Sequence, residues 1–144
     1  RGNFYMKKLG AMLLSFVMLC VMVPGAPAVT DSGIQPMWDH LCILSGTIDI
    51  TSFGNAKISA TARAYSDDVT KTSVTASLQQ MKDNYWTEVK SWTATNNDLY
   101  ANLYDKSWPV AHGYSYRLVV TGKAYSGSTL LESASYVTEY GYYQ

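Results

Sequence analysis

Cysteine is almost absent from this chain, which contains only Cys20 and Cys42 among its 144 residues. Cys20 lies in an N-terminal apolar run that we expect to be removed on export, so Cys42 alone would remain in the mature protein. A single thiol excludes an intramolecular disulfide, even in an oxidising compartment. Cys42 shares its alternation phase with Leu44, Ile48 and Ile50, and we therefore predict that it is a small buried hydrophobic residue.

Motifs that carry catalysis or bind metals are also missing. The two histidines, His40 and His112, are predicted on the first strand and in the loop before the sixth, and neither belongs to an HExxH pattern. The sequence contains no G-x-S-x-G nucleophile elbow and no D-x-D-x-D-G calcium loop. We therefore predict a protein that is not an enzyme and that binds neither a metal nor another cofactor.

Positive charge is not concentrated anywhere along the chain. Residues 29–144 contain eight Lys and Arg against eleven Asp and Glu, which gives a net charge of −3. Without a basic run there is no electrostatic footprint for nucleic acid, so we predict no nucleic-acid partner. No segment beyond residue 28 is apolar enough to cross a membrane.

What is present at the N-terminus is the pattern of a secretory signal peptide. Lys7 and Lys8 precede an apolar run over residues 9–23, which is followed by a Pro24-Gly25 break. This run is shorter than the roughly 20 residues that a membrane-spanning helix needs. We predict cleavage between Ala28 and Val29, because this position leaves small residues where a signal peptidase reads the chain.

The chain is therefore expected to divide into four parts. These are residues 1–5, upstream of Met6 and of the true start; the signal peptide, residues 6–28; an extended segment, residues 29–37; and a single folded domain, residues 38–144. Lipid attachment at Cys20 is the alternative at this end, but Leu19 stands where such a motif needs Gly, Ala or Ser. The prediction for localisation is secretion, with either release or non-covalent retention at the cell surface.

The domain itself has the period of β-strands, because apolar residues recur at every second position between short polar breaks. Seven strands are predicted, near residues 41–50, 58–65, 74–78, 85–93, 99–103, 114–124 and 130–140. We predict a bulge at Gly46, a connection that holds Trp108-Pro109, and a hairpin turn at Ser126-Gly127-Ser128.

The fourth predicted strand contains an exception to simple alternation. Trp86, Val89 and Trp92 are spaced by three, as on one face of a helix. Their β-branched and aromatic neighbours, such as Tyr85 and Thr87, favour a strand instead. The spacing therefore predicts a bulge or a change of the buried face.

Seven short strands with regular turns predict an all-β fold, a single immunoglobulin-like or fibronectin type III-like sandwich of about seven antiparallel strands. Such sandwiches place a Tyr near the start of the sixth strand, with its hydroxyl bonded back to the preceding loop. Tyr116 is the candidate for this role and Tyr114 the alternative. We assign Trp38 and Trp92 to the core.

Three segments of the domain and of the residues before it are distinctive: Ile34-Gln35-Pro36-Met37-Trp38, the hairpin that carries Trp86-Thr87-Glu88-Val89-Lys90-Ser91-Trp92, and Tyr116-Arg117-Leu118. They resemble segments of small secreted proteins of Gram-positive, Clostridia-like bacteria. This sequence departs from the pattern at Met37, where those proteins commonly have a basic residue. The resemblance implies a secreted β-sandwich, and it supplies no established catalytic residues.

Aromatic side chains are the remaining functional signal. Exposed aromatic faces with polar rims are used by secreted modules to stack on sugars or to anchor proteins. The candidates for exposure and ligand binding are Trp86, Trp108, Tyr65, Tyr125, Tyr142 and Tyr143. We predict a non-catalytic extracellular binding module for a glycan, a cell-wall polymer or a protein. The alternative is a structural protein that assembles through its edge strands; a contiguous exposed row of aromatics on one face would favour binding.

Overall fold

The computed structural model of the protein describes residues 38–144. Four predictions lie outside these described residues. They concern residues 1–5, the signal peptide at residues 6–28, the cleavage site between Ala28 and Val29, and the extended segment at residues 29–37.

The described residues form seven strands and contain no helix, which confirms the predicted all-β sandwich. The strands are β1 (Leu41–Ile50), β2 (Asn55–Ala64), β3 (Lys71–Lys82), β4 (Tyr85–Asn96), β5 (Tyr100–Pro109), β6 (Tyr114–Ser126) and β7 (Thr129–Tyr143). All pairings are antiparallel. A three-stranded sheet has the order β1-β2-β5, and a four-stranded sheet has the order β4-β3-β6-β7.

The core lies between the two sheets, because each strand turns its small and apolar alternate residues inward. In β2 the inward residues are Ile58, Ala60, Ala62 and Ala64, and all of them are buried. The predicted inner face of β3, formed by Val74, Ala76 and Leu78, is also fully buried. Strand alternation in the sequence therefore identified the core face correctly.

Two inward glycines allow the sheets to approach closely. A Cβ atom added at Gly46 in β1 would lie 2.5 Å from Val120 Cγ2 of the opposite sheet. At Gly122 in β6, such an atom would lie 2.8 Å from Leu44 Cδ1. The predicted bulge at Gly46 is wrong, since β1 pairs with β2 in regular register at this position. Gly46 is a point of sheet-to-sheet contact instead.

Bulges occur only on the edge strands of the described sheets. The extra residue lies at Cys42 in β1, at Val89 in β4, in the Tyr104-Asp105 region of β5, and at both Leu131 and Tyr140 in β7. The central pair, β3 and β6, has no register shift. The bulge at Val89 confirms the prediction drawn from the spacing of Trp86, Val89 and Trp92.

The position of Cys42 differs from the prediction. As the extra residue of the β1 bulge it leaves the alternation of the strand, and Leu41 takes the buried position in its place. The thiol is partly exposed and donates a weak hydrogen bond to the carbonyl oxygen of Arg63, at 3.5 Å. Cys42 is therefore not a buried core residue.

The tight turns follow the sequence signals, and one connection does not. Asp83 and Asn84 form a two-residue hairpin loop in which both residues have positive φ, as a type I′ turn requires. Gly127 and Ser128 connect β6 to β7 as predicted. Trp108 and Pro109 were expected in a connection, but they form the end of β5. Because β5 is an edge strand, the missing N–H of Pro109 leaves no central ladder position unpaired.

The start of the domain is fastened to β7 by one carboxylate. Glu132 accepts hydrogen bonds from three consecutive backbone N–H groups, those of Asp39 at 3.1 Å, His40 at 2.8 Å and Leu41 at 2.7 Å. His40, expected on the first strand, therefore lies in the bend before β1. A charged acceptor strengthens each of these bonds.

We expect Glu132→Gln to lower the free energy of unfolding by about 1 kcal/mol, because a neutral amide oxygen accepts these bonds more weakly than a carboxylate. Urea denaturation measures the change. The matched control is Glu139→Gln, on the exposed part of the same strand, for which we expect less than about 0.5 kcal/mol. Equal effects of the two substitutions would contradict this role for Glu132.

Candidate functional site

The residues with predicted structural roles take positions in or near the core. Tyr116 is buried, and its hydroxyl donates to the carbonyl oxygen of Ala111 at 2.8 Å and accepts from the N–H of Ala111 at 3.0 Å. Tyr116 thus makes the predicted hydrogen bond between a tyrosine of the sixth strand and the preceding loop. Trp38 and Trp92 are partly buried and pack against the core.

Tyr143 is not an exposed ligand-binding residue, contrary to the prediction, since only 6% of its surface is accessible. Its ring stacks on His112 with a centroid separation of 4.4 Å. Its hydroxyl lies 3.4 Å from the carbonyl oxygen of Thr51 and 3.3 Å from His112 Nε2. The side chain thus closes one end of the sandwich, where β7 continues to alternate inward beyond the predicted end of the strand.

Two other candidates make contacts within the domain. Tyr65 is 54% exposed, but its hydroxyl donates to the carbonyl oxygen of Trp38 at 3.0 Å, which ties the loop after β2 to the start of the domain. Trp108 is partly buried against the core, with Lys90 Nζ 4.7 Å from its ring centroid. Both rings therefore help to hold neighbouring segments together.

The remaining three candidates lie on the outer face of the four-stranded sheet. Tyr125 carries Lys71 Nζ at 4.5 Å from its ring centroid. Trp86 is partly buried beneath the guanidinium group of Arg117, whose Cζ lies 4.4 Å from its ring centroid. Tyr142 is 60% exposed.

These three aromatic rings do not form a contiguous row. Trp86 belongs to β4 and Tyr142 to β7, the two opposite edges of the sheet, so their backbones are about 14 Å apart at three interstrand spacings. Tyr125 lies at the other end of β6, close to its hairpin with β7. The sequence candidates therefore do not converge on a single site.

A different group of residues does converge, in a shallow depression on the outer face of the three-stranded sheet. Its volume is about 520 Å³, within the range of small-molecule sites. Ile43 of β1, Arg63 of β2 and Tyr100 of β5 lie side by side across its floor. We name this feature the Tyr100 depression.

The other residues that line the Tyr100 depression are Leu99 and three residues with polar side chains. Thr61 and Asn102 are cross-strand neighbours in the adjacent row of the floor. The connection between β4 and β5 supplies a rim at Asp98 and Leu99. The Asp98 Oδ1 atom accepts a hydrogen bond from the N–H of Leu99 at 2.6 Å, which orients the Asp98 side chain.

The arrangement combines one exposed aromatic ring with several hydrogen-bonding groups. Tyr100 is 49% exposed, and Arg63, Asn102, Thr61 and Asp98, which carry hydrogen-bonding side chains, line the same depression. The lining contains neither a histidine nor a cysteine. Its chemistry is that of recognition by stacking and hydrogen bonding.

Tyr100 is not among the candidates drawn from the sequence, although its outward orientation follows from the alternation of the predicted fifth strand. The predicted fifth strand turns Leu99, Ala101 and Leu103 inward, and the same alternation places Tyr100 outward. The sheet order, which brings β1, β2 and β5 together, was not readable from the sequence. Ile43 and Arg63 therefore could not be assigned to the neighbourhood of Tyr100.

Within residues 38–144, no cluster of three or more His, Cys, Asp or Glu side chains is arranged to hold a metal ion. The same part of the chain has no helix with the length and apolar character needed to span a bilayer. Comparison with known proteins gives no match to any family model, any curated protein or any solved structure.

Proposed function

We propose that this protein is a secreted, non-catalytic binding module that takes a glycan in the Tyr100 depression. The observation that carries the proposal is the half-exposed ring of Tyr100 in one depression with Arg63, Asn102 and Asp98. A sugar ring has an apolar C–H face that stacks on an aromatic ring, and its hydroxyl groups both donate and accept hydrogen bonds. Guanidinium, carboxamide and carboxylate groups together satisfy both needs.

Export is part of the proposal and is supported by the N-terminal pattern of the sequence. Lys7 and Lys8, the apolar run over residues 9–23 and the small residues before Val29 follow the order of a signal peptide. A module outside the cell meets glycans as its most abundant polymeric surface. The ligand class and the proposed location therefore agree.

A protein ligand is less well supported by the same surface. Stable protein interfaces bury about 800 Å² on each partner around well-packed aromatic or Arg anchors. The exposed aromatics of this domain, such as Tyr104, Tyr142 and Phe53, are dispersed over both sheets and the β1–β2 turn. The Tyr100 depression is instead of the size of one or two sugar units.

We assign the sandwich to the immunoglobulin-like class, with a fibronectin type III-like arrangement. The split into sheets of three and four strands and the contact of Tyr116 with the loop before its strand support the assignment. The fold class carries no function by itself, because such sandwiches host many unrelated activities.

Assembly through edge strands, the alternative from the sequence, is disfavoured by the distribution of bulges. Each of the four edge strands carries at least one, at positions such as Cys42, Val89 and Tyr140. A bulge breaks the regular row of N–H and C=O groups that another strand would need for pairing. The edges therefore have the features of strands that avoid association.

Tyr100→Ala is expected to weaken glycan binding by at least about tenfold, because the substitution removes the stacking surface. The measurement is binding to an array of neutral and amino-sugar oligosaccharides, with protein recovered from the medium of an exporting Gram-positive host. Affinity for the best ligand is then determined by calorimetry.

Tyr104→Ala is the matched control, because Tyr104 lies on the same strand, is 67% exposed and does not line the depression. Affinity should stay within about twofold for this variant and for Trp86→Ala and Trp108→Ala. A protein that binds no glycan on the array would refute the proposed function. Equal losses in the Tyr100 and Tyr104 variants would remove the site from the Tyr100 depression.

A further inference from the structure

We infer that the ligand of the Tyr100 depression is an N-acetylated amino sugar. This inference rests on the proposed glycan-binding function and specifies the ligand class. It is carried by the order of three side chains, Tyr100, Arg63 and Ile43, across adjacent strands.

The first observation is that Ile43 breaks the pattern of its own strand. The other outward residues of β1, Ser45, Thr47 and Asp49, are polar and exposed, whereas Ile43 is a partly exposed aliphatic residue that lines the depression. Ile43 has the same alternation phase as these three residues, because the register shift of β1 lies before it, between Leu41 and Ile43. An apolar ligand group that covers the partly exposed Ile43 side chain removes apolar surface from water, which favours binding.

The second observation is the spacing of Ile43, Arg63 and Tyr100 across the sheet. Arg63 pairs with both Ile43 and Tyr100, so these two residues lie two interstrand spacings apart, which is about 10 Å between their backbones. A ligand that complements all three side chains has an apolar ring face for Tyr100, an apolar group for Ile43 and a hydrogen-bond acceptor for Arg63 between them.

An acetamido substituent on a pyranose ring has these groups in this order. The ring stacks on Tyr100, the acetamide carbonyl oxygen accepts from the guanidinium group of Arg63, and the methyl group covers Ile43. Asn102 and Thr61, in the adjacent row, are placed to bond the ring hydroxyls. A plain hexose would satisfy Tyr100 and leave Ile43 uncovered.

The test compares two trimers that differ in this substituent, β-1,4-linked N-acetylglucosamine and β-1,4-linked glucose. We expect the full exported protein to bind the N-acetylated trimer at least about tenfold more tightly, as measured by calorimetry. In saturation-transfer NMR, the acetyl methyl protons should receive the strongest signal from the protein.

Ile43→Thr tests the contact that sets this preference. Threonine keeps the β-branched shape that suits a strand and removes the terminal hydrocarbon, so the domain should remain folded by circular dichroism. We expect the preference for the N-acetylated trimer to fall to about threefold or less, because affinity for this trimer falls more than affinity for the glucose trimer. Thr47→Val, on the same face of β1 outside the depression, is the control and should leave both affinities unchanged.

The outcomes distinguish failure of the amino-sugar inference from failure of the proposed glycan-binding function. Equal binding of the two trimers, or a full preference retained in Ile43→Thr, would overturn the inference and leave glycan binding standing. Binding of neither trimer, together with no hit on the wider array, would overturn the proposed function itself.

Discussion

Replacing Gly46 by alanine is expected to lower the free energy of unfolding by about 2 kcal/mol. The loss occurs even though alanine reduces the entropy of the unfolded chain, an effect that by itself would stabilise the fold. The added Cβ would lie 2.5 Å from Val120 Cγ2 and 3.3 Å from Leu118 Cδ2. Val120 is fully buried and β-branched, so its side chain has little freedom to rotate away. The two sheets must separate or distort, and overpacking of this kind costs about 1 to 3 kcal/mol.

The sign of the effect makes the measurement decisive. Where a glycine adopts an ordinary conformation without close neighbours, change to alanine stabilises a protein by about 0.4 to 1 kcal/mol. Urea denaturation of Gly46→Ala should therefore show a loss, whereas an uncrowded site would show a gain. In a Val120→Ala background, which removes the contacting atom, the same substitution should cost little. A similar cost in both backgrounds would mean that the sheets do not meet at Gly46.

Tyr116→Phe is expected to cost about 2 to 3 kcal/mol, because one hydroxyl serves three hydrogen bonds. It donates to the carbonyl oxygen of Ala111 at 2.8 Å, accepts from the N–H of Ala111 at 3.0 Å, and accepts from Gln80 Nε2 at 2.9 Å. The ring is buried, so phenylalanine keeps the packing and leaves the partners of the hydroxyl unpaired. Unpaired buried polar groups cost about 1 to 3 kcal/mol each, less where water can reach them.

Tyr114→Phe is the control for this substitution. Tyr114 lies two residues earlier in the same strand, is partly exposed, and takes part in none of the three bonds. Chemical denaturation should give a change below about 0.5 kcal/mol. A loss for Tyr116→Phe no larger than that for Tyr114→Phe would show that the contact with the β5–β6 loop does not stabilise the fold.

Local sequence patterns predicted most of the β-structure correctly. Alternation identified the inward faces of β2 and β3, including Ile58 and Val74, because side chains in a strand point to opposite faces with a period of two. The spacing of Trp86, Val89 and Trp92 located the β4 bulge. The turn residues Ser126-Gly127-Ser128 marked a hairpin, and Gly127 has the positive φ that glycine tolerates.

The errors arose where a residue's environment depends on a strand distant in sequence. In the sequence, Cys42 has the same alternation phase as Leu44, but the β1 bulge moves Cys42 out of the core. The sequence predicts an exposed aromatic at Tyr143, but its side chain is covered, because His112 and Thr51 of other segments contact it. Neither neighbour is indicated by the local sequence.

The candidate site shows the same division most clearly. Sequence alternation by itself determined that Tyr100 faces outward and that Val74 and Leu78 face inward, since strand geometry is a local property. Only the tertiary structure decided that Ile43, Arg63 and Tyr100 lie beside one another, because sheet order joins segments far apart along the chain. The bulges on every edge strand likewise exist only relative to a partner strand, so only the tertiary structure could place them.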